Sequence, residues 1–282
     1  MNISGEARVA GVMGWPVKHS LSPRLHNYWL KEYKIDGAFI PLAVEPDNLY
    51  RAIRSLPSLG FAGANLTVPH KETALNAVDR ISENAARIGA INTLVVLEDG
   101  SIEGKNTDGF GFIEALAASA NTDDLIGEPV VVLGAGGASR AITAALQEHE
   151  VGKIYLVNRT RERAQRIADD LGGEIITVDW RERADVLSDV KLLVNTTLLG
   201  MVDQPSLEIN LEELPVTSVV SDIIYSPLMT GLLKDAATRG NPVVDGLGML
   251  LHQGRPGFRS WFGQEPAVTE DLRTHILHRG AN

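Results

Sequence analysis

Four polar stretches in the first part of the chain carry side chains that no apolar core requires. They are Gly14-Trp15-Pro16-Val17-Lys18-His19-Ser20-Leu21-Ser22-Pro23, Asn65-Leu66-Thr67-Val68-Pro69-His70-Lys71, Gly89-Ala90-Ile91-Asn92-Thr93 and Asn106-Thr107-Asp108-Gly109. Together they offer hydroxyls, amides, an amine and a carboxylate, a set suited to holding a small polyhydroxylated acid. Lys71 is the candidate proton donor, because an ammonium can polarise a carbonyl oxygen and protonate it. On residue type alone a surface lysine at a helix start is the favoured reading of Lys71, and Asp108 is equally part of an Asn106–Asp108 helix cap. His19 and His70 are read as structural hydrogen-bonding residues. His275 and His278 are read as an exposed helix edge, since no third ligand stands nearby.

A second kind of chemistry lies in Gly134-Ala135-Gly136-Gly137-Ala138-Ser139, which follows the apolar run Pro129–Leu133 and precedes an alanine-rich helix. A glycine-rich turn from strand to helix lets backbone N–H groups approach a pyrophosphate, whose charge the helix dipole favours. Ser139 replaces the third glycine of the usual fingerprint and is small enough for close helix packing. The next strand selects the dinucleotide. NAD sites place Asp or Glu at its end, against the ribose hydroxyls. Here Asn158 stands there, followed by Arg159 and Thr160, with Arg161, Arg163 and Arg166 behind. A guanidinium fork suits the 2′-phosphate of NADP. Arg161 and Arg166 read as a solvated helix face, Arg159 as the phosphate ligand.

Apolar runs alternating with amphipathic segments must position these groups, the pattern of a mostly parallel α/β fold. Strands are predicted at residues 8–12, 38–42, 61–65, 129–133, 153–157, 174–178, 191–194 and 219–223. Residues 92–97 and 102–104 form a hairpin turning at Asp99-Gly100. Helices are predicted at 23–34, 47–56, 110–119, 137–149, 160–171, 229–239, 248–261 and 268–278. Ser22 is expected to cap the first of these, with Pro23 at its first position. Trp15, Trp29 and Trp261 are expected in the core. The chain has 282 residues, more than one core usually needs, so two domains are expected.

Composition excludes several function classes. There is no cysteine, which removes disulfides, thiolate nucleophiles, iron–sulfur clusters and cysteine zinc sites. The formal charge of -10 disfavours a nucleic-acid partner. No apolar run is long enough to span a bilayer, and Met1–Glu6 does not read as a secretion signal, so a cytoplasmic enzyme without membrane or metal is expected.

The four polar stretches, the Gly134–Ser139 turn, Asn158-Arg159-Thr160, Asp222-Ile223-Ile224-Tyr225-Ser226-Pro227 and Asp245-Gly246-Leu247-Gly248-Met249-Leu250-Leu251-His252-Gln253 occur in the order found in the shikimate dehydrogenase family, which the chain resembles over nearly its whole length. The resemblance implies two α/β domains. A substrate domain would comprise residues 1–110 and 246–282, with the last helices returning to it, and a Rossmann-type NADP domain residues 111–245. It implies reversible reduction of 3-dehydroshikimate to shikimate in the cleft between them, by a monomer or homodimer. Ser20, Ser22 and Tyr225 would then bind the substrate carboxylate. Asn65, Thr67, Lys71, Asn92, Asp108 and Gln253 would hold ring hydroxyls and the reacting oxygen, with Lys71 and Asp108 the catalytic pair. Gly134, Ala135, Gly136, Gly137, Ala138, Ser139, Asn158, Arg159, Thr160, Arg163, Thr196, Gly246 and Met249 would line the cofactor. The chain departs from the family pattern at Leu198-Leu199 and at Gly254. Two rivals remain: a quinate dehydrogenase on the same scaffold, which would favour NAD, and a non-catalytic NADP sensor, which would need neither Lys71 nor Asp108.

Overall fold

The structure, a computed structural model, describes residues 3–278; residues 1–2 and 279–282, at the ends of the expected substrate domain, lie outside these. The chain divides into two compact units, one ending at Thr107 and resuming at Leu251, the other comprising Asp108–Leu250.

The first unit begins β1 (Arg8–Gly14), α1 (Ser22–Glu32), β2 (Gly37–Ala43), α2 (Leu49–Ser55), β3 (Phe61–Leu66), β4 (Arg80–Ile81), α3 (Glu83–Ile88), β5 (Thr93–Val96), β6 (Ile102–Lys105). Its strands form one sheet in the order β2-β1-β3-β5-β6-β4. β1 runs parallel to β2 and β3, whereas β5 is antiparallel to both β3 and β6. The hairpin prediction therefore holds. The short β4 and α3 lack a periodic apolar pattern and were not foreseen.

The second unit runs α4 (Asp108–Ala117), β7 (Val130–Leu133), α5 (Gly137–Glu148), β8 (Ile154–Asn158), α6 (Arg161–Leu171), β9 (Ile175–Asp179), β10 (Leu192–Asn195), β11 (Val219–Asp222), α7 (Gly231–Arg239), β12 (Val243–Val244). The sheet order is β12-β11-β10-β7-β8-β9, all pairs parallel. That is the doubly wound order whose reversal lies between β7 and β10, where such sheets take their ligands. Its core is aliphatic on both faces: Val130 and Val132 pack one way, Val131 and Leu133 the other. Burial on both faces explains the unbroken apolar run in the sequence.

α8 (Gly246–Phe262) starts in the second unit's residues and ends in the first's, and α9 (Glu270–Leu277) follows. Trp261 of α8 is fully buried and its Nε1–H donates to Leu94 O at 2.9 Å; Trp29 of α1 is buried and donates to Ala267 O at 3.0 Å. The closing helices thus pack on the first sheet.

Two local expectations fail. Trp15 is 44% exposed, not core. It lies just past the end of β1, where its backbone N–H donates to Val68 O while the indole faces a surface groove with Leu42 and Leu59. Ser22 does not cap α1. The chain is already helical at Leu21, the N-cap, so Ser22 is the first helical residue and its N–H donates to Ser20 Oγ at 3.3 Å. Such a first-turn N–H has no partner inside the helix, and Ser20 supplies one.

Candidate active site

The Thr67–Lys71 loop leaves β3 and is tied down at nearly every residue. Thr67 N donates to Met13 O at 3.0 Å, Val68 O accepts from Trp15 N at 3.1 Å, and Lys71 O accepts from Ile91 N at 2.8 Å. His70 is buried, and its Nε2 meets the Val44 carbonyl at 2.8 Å. A carbonyl only accepts, so Nε2 carries the hydrogen. Burial pushes the His70 pKa below the usual imidazole value, keeping the ring neutral. The ring serves as an anchor, as expected, and leaves half-buried Lys71 on a rigid base.

Beside this loop the first unit gathers an uncharged polar cluster. Asn65 Nδ2 donates to Asn92 O and to Thr93 Oγ1, both at 3.2 Å. Asn92 is buried; its Oδ1 accepts from Thr107 N at 2.8 Å and from Thr93 Oγ1 at 2.9 Å. Thr107 Oγ1 in turn reaches the Gln253 carbonyl on α8 at 2.9 Å. Gln253 Oε1 is itself buried, with no hydrogen-bond partner among the described residues. Buried polar atoms are nearly always paired, so this oxygen is ready for a ligand donor. The cluster unites Asn65, Asn92 and Gln253 from three separate stretches and adds Thr93 and Thr107, whose place in two of the polar stretches was their only signal. Ser20, Ser22 and Thr67 are half-buried, the serines at the start of α1.

In the second unit Asp108 opens α4 and is fully buried. The turn after β7 has the geometry of a phosphate cradle. Gly134 has φ of +112°, and a Cβ there would lie 2.6 Å from Thr196 Oγ1. Thr196 closes the turn from β10, with Oγ1 donating to Leu133 O at 2.6 Å. Ser139 is buried and donates to Gly134 O at 2.7 Å, which explains a hydroxyl at the third glycine position. Gly136 is the N-cap of α5, has no side-chain cap, and has open space where a Cβ would stand. Gly137 and Ala138 follow in the first turn. Unfilled N–H groups at a helix start, with no side chain over them, fit a pyrophosphate. At the end of β8, Asn158 Nδ2 donates to Thr160 O at 2.8 Å, and Arg159 and Arg163 are exposed.

Tyr225 is half-buried, and burial pushes its hydroxyl pKa up, so it stays a neutral donor. Gly246 is buried at the start of α8, and Met249 packs into the aliphatic core beside β7. Asp222, at the end of β11, is fully buried, and burial lifts its carboxyl to about 6 against the pull of hydrogen bonds from Ile224, Asn195 and Thr230. Among the described residues no three His, Asp or Glu side chains are placed to hold a metal ion, and no helix is long and apolar enough to cross a membrane.

The model of the shikimate dehydrogenase substrate binding domain matches residues 12–94, and that of shikimate / quinate 5-dehydrogenase residues 116–200. A shikimate dehydrogenase (NADP(+)) of Paramagnetospirillum magneticum is 57% identical, covering 98% of this chain and 100% of that one. The chain belongs to the shikimate dehydrogenase family. Within that family, the Thermus thermophilus shikimate 5-dehydrogenase solved with NADP(H) and shikimate is 35% identical with a TM-score of 0.83, covering 95% of this chain and 98% of that one. A quinate dehydrogenase from Corynebacterium glutamicum solved with NAD is 30% identical with a TM-score of 0.88, covering 96% and 99%. The shikimate dehydrogenase fold therefore spans both units, and it is shared with an enzyme of different substrate and cofactor.

Proposed function

We propose that this chain interconverts 3-dehydroshikimate and shikimate with NADPH and NADP, as an NADP-dependent oxidoreductase acting on a CH–OH group. The observation that carries the reading is the uncharged cluster around Asn65, Asn92 and Gln253, whose buried Oε1 lacks the donor that a ring hydroxyl would supply. Full-length similarity to curated NADP-dependent shikimate dehydrogenases supports it.

In this reading the first unit is the substrate domain and the second the NADP domain. Ser20 and Ser22 donate to the substrate carboxylate, assisted by Tyr225. Asn65, Thr67, Asn92 and Gln253 hold the ring oxygens. NADPH, when bound, supplies the hydride. Lys71 delivers the proton to the carbonyl oxygen during reduction and removes it in reverse. Asp108 positions Lys71 and accepts from a substrate hydroxyl. The Gly134–Ser139 backbone takes the pyrophosphate, and Asn158, Arg159, Thr160 and Arg163 take the 2′-phosphorylated ribose. Thr196, Gly246 and Met249 complete the cofactor's surroundings. The enzyme works in the cytoplasm as a monomer or homodimer, a setting that a chain without cysteine suits.

Steady-state rates with shikimate and quinate, each with NADP and NAD, test the proposal. The highest kcat/KM is expected with shikimate and NADP. A preference for quinate with NAD, or no turnover with any pair, would overturn it.

A further inference from the structure

One buried carboxylate joins segments that the reaction needs but takes no part in the chemistry itself. Asn195 ends β10 and Asp222 ends β11, paired in register across the parallel sheet. Asp222 Oδ1 accepts from Asn195 Nδ2 at 3.1 Å and from Ile224 N at 3.0 Å; its Oδ2 accepts from Thr230 Oγ1 at 2.8 Å. The carboxylate thus holds both ends of the 223–230 loop, which carries Tyr225. It also fixes the neighbouring loop. With Asn195 Nδ2 turned toward the carboxylate, Asn195 Oδ1 faces the other way, where it accepts from Thr197 N at 3.0 Å and Thr197 Oγ1 at 2.7 Å. Thr197 Oγ1 then accepts from Leu199 N at 3.1 Å.

A third segment is fastened to the same point. Gly246 N donates to Ile224 O at 3.3 Å, and a Cβ on Gly246 would lie 2.2 Å from the Ile223 carbonyl. The loops bearing Thr196, Tyr225 and Gly246 therefore share one anchor. A carboxylate has no hydrogen to donate, so every donor must turn toward it. That requirement, together with the Leu199 carbonyl that Asn195 Nδ2 also reaches at 3.2 Å, sets the orientation of the Asn195 amide and through it of Thr197.

We propose that Asp222 is a positioning residue that sets the cofactor loop around Thr196 and the substrate loop around Tyr225 from a single buried point. The inference rests on the roles proposed above for Thr196 and Tyr225. A mere structural bolt would lower stability without separating the two ligands. A positioning residue makes each spoke specific to one of them.

The test measures kcat, both KM values and the melting temperature for Asn195→Ala, Thr230→Val, Asp222→Ala and Asp222→Asn. Asn195→Ala frees Thr197 and the loop that follows Thr196, while Ile224 N and Thr230 Oγ1 still hold Asp222, and it should raise the NADP KM about fivefold or more, leaving the shikimate KM within about twofold. Thr230→Val releases one end of the Tyr225 loop and should do the reverse. Asp222→Ala should raise both KM values about tenfold, and Asp222→Asn should recover most of the loss, since its Oδ1 still accepts from Ile224 and Asn195. If Asp222→Ala does not fold, the two spoke variants decide. Folded spoke variants with unchanged KM values and lowered melting temperatures, or with the same pattern for both ligands, overturn the inference. If the wild-type protein does not oxidise shikimate, the proposed function fails first. NADP affinity by calorimetry, wild type against Asn195→Ala, then decides the cofactor half, and equal affinity, or no NADP binding by either, overturns it.

Discussion

The first unit carries its proposed substrate-binding groups on side chains at strand ends and at the start of α1, from Ser20 to Asn92, whereas the second offers main-chain N–H groups in the turn between β7 and α5. The difference extends to how each unit buries an ionisable group. His26 lies fully buried among Trp29, Phe39, Phe258 and Trp261, stacked on Phe39 at 4.1 Å, and neither ring nitrogen has a hydrogen-bond partner among the described residues. Asp222 is as deeply buried but has donors on both oxygens. The histidine tolerates burial by staying neutral, the carboxylate by being hydrogen-bonded. A side-chain site should answer to truncation, a main-chain turn to a change at its charged rim, and the two buried groups should respond oppositely to acid.

The largest expected effect belongs to the side-chain site. Lys71→Ala should lower kcat by roughly 10²–10⁴-fold, the range for a positioned acid–base group. Shikimate affinity should change far less, because serines and amides remain. The Thr67–Lys71 loop is fastened through main chain and His70, so the fold should survive. Lys71→Arg should restore little, since a guanidinium holds its proton. The measurement is kcat at saturating shikimate and NADP with a parallel melt; a folded Lys71→Ala protein with near-normal kcat would remove Lys71 from the chemistry.

Acid should then expose His26. Burial drives its pKa from 6.5 to about 3, the nearby Asn65 side chain opposing only in part. A base with a depressed folded pKa contributes its full stability above 6.5 and loses it as pH falls from 6.5 toward 3, because the unfolded chain binds the proton more readily. By pH 4.5 the loss should reach about 2–3 kcal/mol. His26→Phe, which suits an aromatic box, should abolish that part of the pH dependence. His70 shifts in the same direction, so the difference between wild type and variant is what counts. Parallel stability curves for the two between pH 7 and 4.5 would contradict the assignment. Asp222 should act with the opposite sign: its pKa is raised to about 6, so its contribution is full below 3.8 and lost as pH rises through 6.

Most of the fold was legible in the sequence, and what was not has physical causes. The strands of the second unit stood out because burial on both faces makes them continuous apolar runs, such as Val130–Leu133. The turn after them was legible because φ of +112° at Gly134 favours glycine. Asp222 stood in a quoted stretch, yet nothing in a single aspartate shows that three donors converge on it. Trp15 and Ser22 were misread for related reasons. A large indole suggests core, and a serine before proline suggests a cap, but both outcomes depend on where the chain turns. β4 and α3 were missed because two- and six-residue elements carry no period.

At the rim of the main-chain turn, Arg159→Ala should raise the KM for NADP roughly ten- to a hundredfold, as expected for a lost charge-assisted contact. The KM for NAD should move little, because NAD carries no 2′-phosphate. Asn158 and Thr160 stay joined by their own hydrogen bond, so the turn keeps its shape. Equal losses with the two cofactors would place the phosphate elsewhere, for instance on Arg163.

The smallest effect expected on stability comes from Ser22→Ala, and its smallness is informative. Were Ser22 the cap of α1, its loss would cost about 1 kcal/mol. The helix instead starts from Leu21, with Ser20 Oγ receiving the Ser22 N–H, a backbone group that alanine retains. Alanine also suits a helix better than serine does. The melting temperature should therefore stay within about 2 °C of wild type, since a change of a few tenths of a kcal/mol moves a protein of this size by no more. Shikimate affinity should nonetheless fall several-fold, as expected for a hydroxyl donor to a carboxylate. Ser20→Ala should weaken shikimate as well but also lower the melting temperature, because Ser20 carries the start of the helix. Calorimetric titration with shikimate beside a melt separates the two serines. A Ser22→Ala protein that melts several degrees early and binds shikimate normally would restore the cap and remove Ser22 from the carboxylate site.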